Sequence, residues 1–200
     1  MRPAANNPRQ PRDAASDYRE KSAYEISRLA KRMKEQGHPT PLGDPASGVV
    51  LVLEQPVGPR VLDAVRRSLD AVGLPEAYVT YESTGLLANE IMATEPQILV
   101  AIGPGAVRDI DDLDHPLVKQ PFSDAEPAAW FPWTKGTMGL VLPAITPALN
   151  DERTKRRFWR AFLSLRNLAY NQLAIPPLVH MLCPKRTPVP YVTFQPHYID

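Results

Sequence analysis

Glu54 stands at the end of five consecutive apolar residues, Val49 to Leu53, and opens the turn Glu54-Gln55-Pro56. An apolar run of that length suits a strand buried on both faces, and the C-terminal end of such a strand is where open α/β sheets hold reactive groups. A carboxylate there can activate water or stabilise a developing cation, or it can simply accept hydrogen bonds from loop amides. Gly103-Pro104-Gly105, after a second apolar run, is the other strand-end candidate. Free amides at the start of a helix cradle phosphate, yet the same Gly-x-Gly also makes a bare tight turn, and Pro104 removes one of the amides.

Other groups carry the right chemistry at suggestive spacing. Asp109, Asp111, Asp112, Asp114 and His115 form an acidic run of metal-ligand types, although a run of this kind is commonly a solvated loop, and neither metal nor cofactor is expected. His180 and Cys183 are spaced like ligands, but two candidates do not complete a site. Trp130-Phe131-Pro132-Trp133 reads either as a base-stacking or wedge loop or as a cover for the core. Arg153, Arg156 and Arg160 recur at spacings of three and four, so a helix sets them on one side. They are the best phosphate contacts in the chain, against the plainer reading of a solvated face.

Composition limits what these groups can serve. The formal charge of +1 provides no global field to draw in a polyanion, so any such binding must come from a local patch. One cysteine, Cys183, excludes internal disulfides and a cysteine-only metal or iron–sulfur site. No apolar run approaches the roughly 18 residues of a membrane span, and the N-terminus lacks the apolar middle of a signal peptide. The expectation is a cytoplasmic protein with no membrane partner. The 23 prolines gather at the two ends and in loops, which makes the termini candidate docking segments for protein partners.

The elements that must position these residues follow from periodicity. Residues 1–15 are polar and proline-broken, and read as a disordered tail. Residues 16–47 hold an amphipathic helix, Asp17 to Gln36, and a linker. Residues 48–170 form the core. Strands are expected at Val49 to Leu53, Tyr78 to Tyr81, Gln97 to Ile102 and around Leu140 to Leu142. Helices are expected from Pro59 to a stop at Gly73, over Leu86 to Thr94, and over Asp151 to Tyr170, the last being the longest. Residues 106–138 make a long connection, and residues 171–200 a proline-rich arm. Alternating strands and helices predict an α/β fold: a three-layer α/β/α sandwich around a central four-stranded parallel sheet.

In this order the chain resembles the uracil-DNA glycosylase superfamily over roughly residues 48–170. The carriers are the E-x-P turn at Glu54-Gln55-Pro56, the segment GLPEAYVTYES from Gly73 to Ser83, EPQILVAIGPGAVRDI from Glu95 to Ile110, and VLPAITPAL from Val141 to Leu149 before a basic helix. The resemblance implies DNA repair by a hydrolase that flips a base from DNA and cleaves its glycosidic bond. It assigns Glu54 as the catalytic carboxylate, and Gln55, Pro56, Tyr81 and Thr146 to the base pocket. DNA would lie on Arg153, Arg156 and Arg160. Leu53 replaces a glycine of the family motif, Tyr81 its base-reading asparagine, and Thr146-Pro147-Ala148 its His-Pro-Ser. A phenol cannot offer the paired donor and acceptor of an amide, and the imidazole is gone. The implied protein is a degenerate member, DNA-associated but with ordinary uracil excision lost or altered. The alternative is a pseudoenzyme serving as a protein-interaction module through its proline-rich termini.

Overall fold

A computed structural model describes residues 13–113 and 115–166 of the chain. The two apolar runs form adjacent strands, β1 (Val49–Leu53) and β3 (Ile98–Ile102), every residue of which is buried. With β2 (Tyr78–Tyr81), β4 (Trp130–Pro132) and β5 (Met138–Leu142) they make one sheet of order β2-β1-β3-β5-β4. The first four strands in that order are parallel, and β4 closes one edge antiparallel to β5. The sheet therefore has five strands where the sequence predicts four.

The extra strand comes from the long connection, where Trp130-Phe131-Pro132 pairs with Leu140, Gly139 and Met138. Proline is tolerated there because the strand is an edge. Gly139 makes the pairing possible, since a Cβ on it would lie 2.3 Å from the Phe131 ring. Phe131 and Trp133 are buried, so this segment covers the core. At the opposite edge, Leu42 of the linker exchanges both backbone hydrogen bonds with Val79.

Alternate strand residues face two cores. Leu51, Leu53, Val79, Tyr81, Val100, Ile102 and Leu142 pack with α2 (Pro59–Val72), α5 (Ile145–Ala148) and α6 (Glu152–Phe162). Val50, Val52, Tyr78, Leu99 and Ala101 pack with α1 (Ala14–Glu35), α3 (Leu87–Thr94) and α4 (Pro104–Asp111). Helices thus cover both faces of a mostly parallel sheet, as expected for strands apolar throughout.

Helix ends follow local chemistry. Pro59 occupies the first turn of α2, and Gly73 ends it with φ 81°. Asp13 caps α1, which starts at Ala14, inside the stretch expected to be disordered. At 22 residues α1 is the longest described helix, whereas α6 runs for 11. The buried stripe of α6 includes Phe158 and Phe162, as the spacing predicts. Asn167 to Tyr170, Asp114, His180, Cys183 and both proline-rich ends lie outside the described residues.

Candidate functional site

Strand order reverses direction between β1 and β3, and in open α/β sheets the crevice outside the carboxyl ends at that point is the usual ligand site. Both strand-end candidates meet there. The Glu54 N–H continues the ladder by donating to the Ile102 carbonyl, and the Gly105 N–H donates to Glu54 Oε1 at 3.1 Å. Gly103 caps α4 with φ 93°, and a Cβ on it would fall 2.1 Å from Glu54 Oε2. The helix N-terminus that could have cradled a phosphate holds the protein's own carboxylate instead.

A second carboxylate reinforces this arrangement. Glu82, just after β2, accepts the Gln55 N–H at 3.0 Å on Oε1, and its backbone carbonyl accepts from the Gln55 side-chain amide at 3.0 Å. Its carboxylate lies over Gly105, where a Cβ would come within 1.8 Å. The turn at Gln55 and Pro56, whose connecting peptide is cis, is thus bound to the neighbouring strand end through both backbone and side chain.

The remaining pocket candidates are disposed differently. Tyr81 lies beside Leu53 in register, and both side chains are buried in the core shared with α2 and α6. Burial, and then the nearby Glu90 charge, raise the Tyr81 phenol above its ordinary acidity range. Thr146 and Pro147 are exposed on the single helical turn of α5, and Pro56 is exposed beyond β1. Tyr81 is therefore a core residue by packing, while Glu54, Gln55 and the glycine turn of α4 form one contiguous group.

The acidic run is occupied by backbone donors. Asp109 Oδ2 accepts the Ser83 N–H at 3.1 Å, and Asp111 accepts the N–H groups of Phe122 and Ser123 at 2.7 and 2.8 Å. Burial raises the Asp109 carboxyl above its ordinary value; the Ser83 hydrogen bond opposes this, and the Glu82 and Asp112 charges add to it. The His115 ring packs against Trp133 at 5.0 Å. Among the described residues no group of three or more His, Cys, Asp or Glu could hold a metal.

One ionisable group escapes the sequence reading. Glu90, in α3, is wholly buried, with Tyr78 donating to Oε1 at 2.6 Å and Thr80 donating to Oε2 at 2.9 Å. Burial pushes its carboxyl up to about 7; the two hydroxyl hydrogen bonds pull it back, and the Asp109 charge adds to the rise. The signal was present in the sequence, because Glu90 shares the helical stripe of Leu87, Ile91 and Thr94, all buried. A carboxylate on an apolar stripe, opposite a strand that alternates Tyr78 and Thr80, marks an internal polar pair.

On the outside of α6, Arg153, Arg156 and Arg160 are exposed on one side, as their spacing predicts. Lys155 and Arg157 are exposed on the same helix. Glu152 lies 3.4 Å from Arg156 and 3.9 Å from Lys155, and no acidic group pairs with Arg153, Arg157 or Arg160 among the described residues. No helix among the described residues is long and apolar enough to cross a membrane. No protein-family model matches the chain, and no curated protein is found similar to it.

Proposed function

We propose that the protein is a uracil-DNA glycosylase-like α/β protein that associates with DNA through α6 and no longer excises uracil. The observation that carries this reading is the outer face of α6, where Arg153, Arg156 and Arg160 are exposed together. Only Arg156 of the three has an acidic neighbour, and that pair is itself exposed. An exposed pair of this kind contributes little and exchanges readily for phosphate. The order β2-β1-β3-β5, with Glu54 and the glycine turn at its switch point, supports the glycosylase-like architecture.

The loss of uracil excision rests on what the site offers the base. The Tyr81 ring is buried where an amide reader would be needed, and Thr146 supplies a hydroxyl in place of an imidazole. Each loss removes on the order of 2–4 kcal/mol of transition-state stabilisation, or roughly 10²–10³ in rate. Glu54 keeps its carboxylate at the strand end, so cleavage of another base would run through it as the general base.

Fluorescence anisotropy with labelled DNA at several salt concentrations tests the reading. Three neutralised phosphates give a slope of about −2 to −3 in log affinity against log salt, flattening toward zero when Arg153, Arg156 and Arg160 are all replaced by Ala. Equal affinity and slope for wild type and the triple variant would remove α6 from the contact. No binding at low salt would favour the protein-interaction module instead. Uracil release that disappears in Glu54→Gln would overturn the claim of lost excision.

A further inference from the structure

Beside the arginines of α6 lies a side chain that phosphate binding does not explain. Trp159 is 37% exposed, although Phe158 and Phe162 on the same helix are buried. Its ring is held nearly parallel to that of Phe162, at 10° and 6.3 Å between centroids, and Phe162 in turn packs on Phe158 at 5.5 Å. An indole that lies parallel to a buried ring of its own helix and is still 37% exposed presents part of its surface to solvent beside the cations. Lys155 and Arg156 precede it by four and three residues, so they flank it on the helix surface.

From this juxtaposition we infer that Trp159 is a stacking platform for an unpaired nucleobase, so that the α6 face takes single-stranded DNA in preference to duplex. The inference rests on the proposed DNA association and gives it a substrate form. Proteins that hold single strands combine a cationic track for the backbone with aromatic rings on which bases stack, and every base has a face to offer. In a duplex those faces are stacked on one another, so the ring would gain nothing there. Charge complementarity favours this occupant over another protein: α6 carries five cationic side chains against the acidic Glu152. A ring exposed only to cover an apolar partner would more often sit among apolar neighbours.

The test uses the full chain and a labelled single strand of about 15 nucleotides, within the range one compact domain covers, alongside the duplex of the same sequence. Trp159→Ala is expected to weaken single-strand binding roughly 5- to 100-fold, as loss of one stacked base does, and to leave duplex binding unchanged. Trp159→Phe should retain most of the affinity, and the melting temperature of each variant verifies folding. If Trp159→Ala binds the single strand like wild type while the triple arginine variant does not, the platform is refuted and the phosphate contact stands. Equal losses for single strand and duplex in a folded Trp159→Ala would also refute it. Absence of binding by the wild type to either form would overturn both the platform and the DNA association.

Discussion

Glu54 and Glu90 are the same residue type placed in opposite circumstances. Glu54 lies half-buried at the end of β1, in the position where α/β sheets keep their reactive groups, and the N–H at the start of α4 satisfies it. Glu90 lies inside α3, far from a conventional site position, with two hydroxyls as partners and no cation among the described residues. Two neutral hydroxyls in a dry interior do not make up for the lost hydration. Location in the fold nominates a carboxylate for chemistry, but its partners and its solvent decide its acidity.

The largest consequence of that contrast is in stability against pH. Glu90 is raised from its ordinary value to about 7, so the folded state holds this proton more tightly than the unfolded chain. Its contribution is fully present below the unfolded value and is lost as pH rises through about 7. At roughly 1.4 kcal/mol per unit, the loss between pH 4.5 and pH 8 amounts to about 3 kcal/mol. Glu90→Gln keeps the shape, and its amide can pair with both hydroxyls without carrying a charge. Urea denaturation at a series of pH values should show the variant gaining on wild type as pH rises, by up to that amount at pH 8. Parallel curves for the two proteins would mean that Glu90 ionises as an ordinary carboxylate.

A smaller effect is expected at Glu54, on the side of the comparison where the carboxylate is satisfied. Glu54→Ala leaves the Gly105 N–H without its acceptor in a partly buried site, which costs about 1 kcal/mol, while Glu54→Gln keeps an acceptor and stays within about 0.5 kcal/mol of wild type. Chemical denaturation at neutral pH reads both. Glu54→Ala as stable as wild type would show that the hydrogen bond from Gly105 contributes nothing.

The features legible in the sequence were those with a local cause. Five-residue apolar runs announced β1 and β3, while Pro59 and Gly73 bounded α2, because each acts through its own backbone or burial. β4 was hidden because its pairing is made by Gly139 beneath Phe131, a contact between segments that no spacing rule encodes. Glu54 could be placed at a strand end, but the donor that occupies it comes from Gly105, 51 residues away. The resemblance assigns Tyr81 to the base pocket, and the side of β2 on which its ring is buried, with Leu53, is a matter of packing that the resemblance does not specify. The acidic run reads as a solvated loop, and its structural role is not legible because the backbone groups it serves, Ser83, Phe122 and Ser123, lie in other turns.

The smallest predicted effect connects the two regions through Asp109. This residue accepts the Ser83 N–H next to the Glu82 turn, and its charge makes the Glu90 carboxyl harder to ionise. Asp109→Asn retains an acceptor for Ser83 and removes that like charge. The Glu90 carboxyl should then ionise at lower pH, narrowing the window in which wild type loses stability and leaving the variant modestly more stable near pH 8. Asp109 is itself raised, so its own contribution falls away in the acid range as pH climbs, and the substitution removes that too. The two parts separate in a double-mutant cycle. In a Glu90→Gln background the acid-range change should remain while the change near pH 7 disappears, with a coupling below about 1 kcal/mol for charges interacting across partly solvated protein. An Asp109→Asn effect of equal size at pH 7 in both backgrounds would show that Asp109 and Glu90 titrate independently, and the electrostatic link between the two regions would be lost.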